Sequence, residues 1–198
     1  QLLKPPVDMP GYQLFSRIST ECLRECKKGD LSKGLIQDIS STCRESRRFV
    51  KFVDSSAYPI NVAAGQYGVV TTNEKKTEYL KTSAVRHIPG ETRENFINFL
   101  MKSEFMSRGK EIEFGEEKIK MVMPSMGTQE FGEVMVNYSR SPLQEKKKII
   151  RNLLIAMKEV HDRMIIHADL KPENLLLKEK KECTVIDFGI AIFDVLPL

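Results

Sequence analysis

Long apolar runs are missing from this 198-residue chain. Nowhere does it approach the roughly 18 consecutive apolar positions of a membrane-crossing helix. Residues 1–10 lack a basic segment followed by an apolar one, so no secretory leader is expected there. The first residue is Gln rather than Met, which leaves open a leader lost with a natural N-terminus. Cysteine is sparse: Cys22, Cys26, Cys43 and Cys183 have no framework spacing, which excludes a disulfide scaffold and fits a reducing compartment. Cys22 and Cys26 stand one helical turn apart, but zinc wants four ligands, and none of His87, His161 and His167 has ligand spacing to that pair. A strong charge of one sign is also lacking. The net charge is +4, and Lys146–Lys148 and the arginines of 44–48 read as solvated helix faces rather than a nucleic-acid or membrane patch. Internal repeats and low-complexity tracts are absent as well.

What is present is an ordinary globular composition, 41% hydrophobic and 29% charged, in a chain long enough for one sizeable core or two small lobes. Pro5, Pro6 and Pro10 make the first ten residues an extended arm. Apolar positions at helical spacing then predict helices over 12–28 and 31–48, separated by Gly29-Asp30. From Phe49 the pattern changes. Strands are predicted at Phe49–Val53, Ile60–Thr72 and Thr77–Ser83, and a helix at 92–107. Further strands follow at Ile112–Phe114 and Ile119–Met123. Pro124–Gly127 is a connector. It leads to helices at 129–138 and 142–164 and to short strands at Leu175–Leu177 and Thr184–Ile186. The order gives an α+β class with three parts: a helical extension (1–48), a β-rich lobe with one main helix (49–123) and a mainly helical lobe (124–198).

The chemistry concentrates late in the chain. Asp169 is followed five residues on by Asn174, and Asp187 comes after the next hairpin. Phosphoryl transfer from ATP needs a carboxylate to orient the attacking hydroxyl and accept its proton. It also needs oxygen ligands that hold a cation against the phosphates. An Asp and an Asn on one loop, with a second Asp nearby, supply both. Lys171 can screen charge on the group in transit.

The string from Ile166 to Leu176, with His167-Ala168-Asp169-Leu170-Lys171-Pro172-Glu173-Asn174 at its centre, resembles the catalytic loop of the eukaryotic-type protein kinases. Ile186-Asp187-Phe188-Gly189 resembles their metal-binding motif. The resemblance implies a bilobal kinase fold, ATP with Mg²⁺ (Mn²⁺ as the alternative ion), Asp169 as base, and Asn174 and Asp187 as metal ligands. The Lys-Pro-Glu-Asn ending is the serine/threonine version. Ala63-Ala64-Gly65-Gln66-Tyr67-Gly68-Val69-Val70 is similar to the glycine-rich segment over the phosphates. Ala63 replaces its first glycine, while Gly65 and Gly68 leave the backbone free to approach. Val70 belongs to that nucleotide-binding set, and Lys81 takes the position of the phosphate-binding lysine. Its carboxylate partner is expected to be Glu104, with Glu94 and then Glu91 as the other candidates. Met123 corresponds to the residue at the back of the adenine site, with the Pro124 carbonyl and the Met126 N–H at the adenine edge.

Ala168 stands where regulated members carry an Arg that pairs with a phosphorylated activation loop, which implies activity independent of that phosphorylation. Only nine residues follow Gly189. The chain is therefore read either as a piece of a longer kinase or as a minimal one. The minimal layout is similar to the short type III effector kinases of bacteria (the Hop family), one of which phosphorylates a host heat-shock chaperone. That likeness implies a monomer secreted into the host cytoplasm with a host protein as substrate and no nucleic-acid or membrane partner; the plainer alternative is a cytoplasmic kinase. Two other functions stay open: a binding module of degenerate kinase fold, and a small-molecule phosphotransferase of the aminoglycoside or choline type.

Overall fold

A computed structural model describes residues 51–65, 68–84, 88–115, 117–127, 129–178 and 182–193, with the isolated positions 37 and 41. Those two positions apart, the helices expected over 12–28 and 31–48, and three of the four cysteines, lie outside the described residues. The chain divides into two compact units. It changes over between Leu100 and Met101, back between Ser107 and Arg108, and again between Pro124 and Ser125.

The first unit is built on an antiparallel sheet of five strands: β1 (Ile60–Gly65), β2 (Gly68–Thr72), β3 (Glu78–Ala84), β4 (Glu111–Phe114) and β5 (Lys118–Pro124), in spatial order β1-β2-β3-β5-β4. The predicted single run Ile60–Thr72 is thus a hairpin, closed by the Gly65–Gly68 pair. Directly opposed residues share a face in such a sheet. Val70 opposes Lys81, and Lys81 opposes Met121, which opposes Ile112. On the same face, one step along, Tyr79 opposes Met123. The helix α1 (Ile88–Leu100) buries Phe96, Ile97, Phe99 and Leu100.

The opposite face centres on the opposed pair Leu80 and Val122. Val53 packs on both and Tyr58 lies against the three. Residues 51–53 are not the strand that apolar alternation predicts. One backbone bond, Lys51 N–H to the Ile112 carbonyl at 2.9 Å, follows β4. The Val53 N–H instead donates to the Glu113 carboxylate at 2.6 Å, and the Lys120 ammonium donates to the Val53 carbonyl at 3.1 Å. Side chains therefore take the bonds a strand partner would have made. The Tyr58 hydroxyl donates to Glu78, which also pairs with Lys110. Desolvation first, then the Glu78 charge, pushes the phenol up to about 12.

The second unit holds β6 (Gln129–Glu130), α2 (Phe131–Tyr138), α3 (Leu143–Asp162), β7 (Ile165–Ile166), a 3₁₀ turn (Pro172–Asn174), β8 (Leu175–Leu177), β9 (Cys183–Val185) and β10 (Ile192–Phe193). β6, β8 and β9 form one small sheet and β7 pairs with β10 in another. α3 turns Ile149, Asn152, Ala156 and Val160 inward. Burial pushes the Cys183 thiol on β9 up to about 11, so it stays protonated and unreactive. Residues 101–107 belong to this unit because α3 and β9 hold them. The Glu159 carboxylate accepts from the Lys102 and Ser103 amides at 2.8 and 3.0 Å, Val185 N–H donates to Phe105 O, and Ser107 N–H donates to Val185 O. Among the described residues no helix is long and apolar enough to cross a membrane.

Candidate active site

In the first unit, Val70, Lys81 and Met123 share one face of the sheet. The Lys81 ammonium meets a Glu94 carboxylate oxygen at 2.7 Å, and both side chains are largely buried, at 17% and 7% exposure. The expected pairing of Lys81 with Glu104 is therefore corrected to Glu94. α1 begins and ends earlier than the predicted 92–107, stopping at Leu100. Glu104 falls in the turn beyond it, in the other unit, where its carbonyl accepts from the Lys178 ammonium at 3.2 Å and the Thr184 hydroxyl at 3.5 Å. A signal for Glu94 was present in the sequence: it stands two residues ahead of the apolar Phe96-Ile97 and Phe99-Leu100 pairs, where a carboxylate needs a cationic partner.

The two glycines of the hairpin do different things. At Gly65 no heavy atom lies within 4 Å of where a Cβ would stand, so the backbone is open on that side. Gly68 has φ +147°, and a Cβ there would run into the Thr82 carbonyl oxygen. The close approach of β3 therefore by itself requires glycine at 68. Met123 is buried near the end of β5, Pro124 is the last residue of the strand, where the chain leaves this unit, and Met126 is buried at the start of the next.

In the second unit, Asp169 is held from two sides. The Lys171 ammonium donates to its Oδ2 at 2.9 Å. The Asn174 amide nitrogen donates to the same oxygen at 3.0 Å and to the Asp169 carbonyl at 2.8 Å. The Lys171 bond above all, with Asn174 adding, keeps the Asp169 carboxyl below its ordinary range despite some desolvation. Lys171 is shifted upward by the same contact. The Asn174 nitrogen is thus committed to Asp169, and its amide oxygen remains as the atom to offer a cation.

The Asp187 segment is tied to this loop through one residue. The Ile186 N–H donates to the Asn174 carbonyl at 3.0 Å, and the Ile186 carbonyl meets His167 Nε2, also at 3.0 Å. His167 Nδ1 accepts from the Asp169 N–H at 3.3 Å, so Nε2 is the protonated nitrogen and the imidazole is neutral. Burial pushes His167 below its ordinary 6.5, against the Ile186 carbonyl and the nearby Asp187 and Asp169 charges. The ring packs at a tilt of 48°, centroids 4.9 Å apart, against the fully buried Phe188. Ala168 and Asp187 both take left-handed backbone, φ 65° and 68°, which is rare outside glycine and marks positions fixed by their surroundings. Asp187 is exposed, and its Oδ1 accepts from the Gly189 N–H at 3.1 Å.

An exposed carboxylate and an amide oxygen are hard donors that suit Mg²⁺ or Mn²⁺, which take their remaining ligands from phosphate and water. Among the described residues no three His, Cys, Asp or Glu side chains cluster as a protein-only metal cage. Sequence reasoning named the string containing His167 but gave neither His167 nor Ile186 a role. Their work lies in backbone-directed bonds that residue identity does not announce.

A family model described as the protein kinase domain matches residues 62–194. Over 58 residues (29% of the chain, 16% of the relative) the chain is 40% identical to the serine/threonine-protein kinase ppk34 of Schizosaccharomyces pombe. It is 38% identical over 71 residues to the non-specific serine/threonine protein kinase Cdc7 of Drosophila melanogaster, covering 35% of the chain and 10% of that protein. A titin homolog of Caenorhabditis elegans matches at 31% over 139 residues, 64% of the chain and 1% of the relative. The chain spans less than a fifth of the length of these curated relatives.

Proposed function

Because the chain belongs to the protein kinase family, we propose that it transfers the γ-phosphoryl group of ATP to a serine or threonine hydroxyl of a protein. The observation that carries this is the fixing of Asp169 by Lys171 and Asn174, together with the two bonds through Ile186 that lead to Asp187. In the reaction the substrate Oγ forms a bond to the γ-phosphorus while the bond to the ADP oxygen breaks. The hydroxyl proton passes to Asp169 and then to solvent. A carboxylate kept ionised suits a loose transition state in which the proton leaves late. Asp169 orients the hydroxyl, and Lys171 screens both Asp169 and the phosphoryl group. Asn174 and Asp187 would hold the divalent ion, which neutralises charge growing on the phosphates. Lys81, positioned by Glu94, would grip the phosphates.

Labelled ATP and a generic protein acceptor test this. Transfer to Ser or Thr in wild type, lost in Asp187→Ala and Asp169→Asn with melting temperatures unchanged, is the expected result. No turnover with either Mg²⁺ or Mn²⁺ would leave a binding module instead. Label confined to small molecules would make the chain a metabolite phosphotransferase.

We further propose, at the finer level, that the chain acts as a Hop-like bacterial effector in the host cytoplasm with a heat-shock chaperone as substrate. Similarity of motif layout supports this. Phosphoproteomics of host lysate with wild type against Asp187→Ala tests it, and an unchanged chaperone phosphorylation pattern sinks it.

A further inference from the structure

We infer that the outward face of α3 docks an acidic amphipathic helix of a partner protein. A helix with one buried face is expected to be polar on the other. Here Leu143, Ile150 and Leu154 are 65%, 57% and 65% exposed. Steps of seven and four residues set these three on one narrow stripe. Lys147, Arg151 and Lys158 flank it on one side, with the partly exposed Ile155 beyond them. A groove of about 430 Å³ is lined by Ile150, Leu154, Ile155 and the three cations, and no carboxylate is among its lining residues.

Other cations of α3 are engaged within the unit: Lys148 pairs with Glu182 at 3.6 Å and Lys146 donates to the Ser139 carbonyl at 2.6 Å. Lys158 pairs with Asp162 at the far end. Among the described residues, Lys147 and Arg151 have no carboxylate partner.

An apolar row beside unmatched cations is complementary to a helix with leucine-type residues on one edge and carboxylates on the next. A second copy of this face would bring cation against cation. A bilayer calls for a wider apolar arc than one stripe offers. The surface contains no group of the phosphoryl-transfer site, so it stands or falls independently of that proposal.

The test uses the full chain and a labelled synthetic helix with Leu at i, i+3 or i+4 and i+7, and Glu at the flanking positions. Anisotropy should show binding to wild type that weakens about tenfold or more in Leu154→Ser and in Arg151→Glu. Circular dichroism and autophosphorylation should stay unchanged, and a counterpart helix with Lys for Glu should not bind. Equal binding of both helices, binding of neither, or undiminished binding to the two variants would overturn the proposal. Two further outcomes also overturn it: sedimentation with phosphatidylserine-containing vesicles that Leu154→Ser abolishes, which assigns the face to membranes, and a concentration-dependent dimer that the same variant dissolves.

Discussion

Lys81 and Glu94 make a largely buried ion pair, and removing one member leaves the other charge without compensation. Lys81→Met and Glu94→Gln should each lower phosphoryl transfer by about 10²-fold or more, while Glu104→Gln stays within about twofold of wild type. Initial rates with labelled ATP, beside melting curves that confirm folding, decide this; a loss in Glu104→Gln equal to that in Glu94→Gln would restore the sequence-based assignment. His167 carries the pH dependence. Its folded value lies below its unfolded one, so the unfolded chain binds more protons between the two. The stability it contributes is complete above about pH 6.5 and is lost as pH falls through the folded value. Urea midpoints measured from pH 5 to 8 should rise with pH, and the rise should shrink in His167→Asn. Much at this scale was legible. The spacing of Asp169, Asn174 and Asp187 pointed to one loop and its neighbouring segment, which the bonds of Asn174 and Ile186 do join. Glu104 was favoured over Glu94 with a helix expected to run to 107, whereas Glu159 and β9 hold residues 101–107 outside it.

At the scale of elements, strands and helices with one dominant periodicity were readable: β3, β5, α2 and α3 lie within about two residues of expectation. The failures came where tertiary bonds replace local ones. Residues 51–53 look like a strand by alternation, yet Val53 spends its N–H on a side chain. The hairpin of β1 and β2 yields a separate prediction. Gly68→Ala must either strain a left-handed backbone or push β3 aside, and should cost about 1–3 kcal/mol of stability. Gly65→Ala meets open space and should leave the urea midpoint within about 0.5 kcal/mol of wild type. Equal losses for the two would show that the glycines serve the same purpose.

For the whole molecule, ligand linkage gives the broadest check. A chain that binds magnesium–ATP only when folded is stabilised by about 2.7 kcal/mol at one hundred times the dissociation constant, whatever its unliganded stability. Melting temperature should therefore climb with ATP and Mg²⁺. It should fall back when the ion is chelated and respond less in Asp187→Ala, whose exposed side chain contributes little to the fold. The α+β class followed from the order of patterns along the chain. The assignment of 101–107 to the second unit could not, since it rests on bonds to the Glu159 carboxylate and to the backbone of β9, more than fifty residues away.

The two bonds at Ile186 also make that residue an observation post. Its amide hydrogen is shielded from solvent exchange only while the loop carrying Asp169 and Asn174 and the segment leading to Asp187 stay joined. Deuterium uptake at this single position would clock each parting of these two segments. A compound that drew Phe188 out of its seat would register there as a faster exchange rate before any change in turnover was measured.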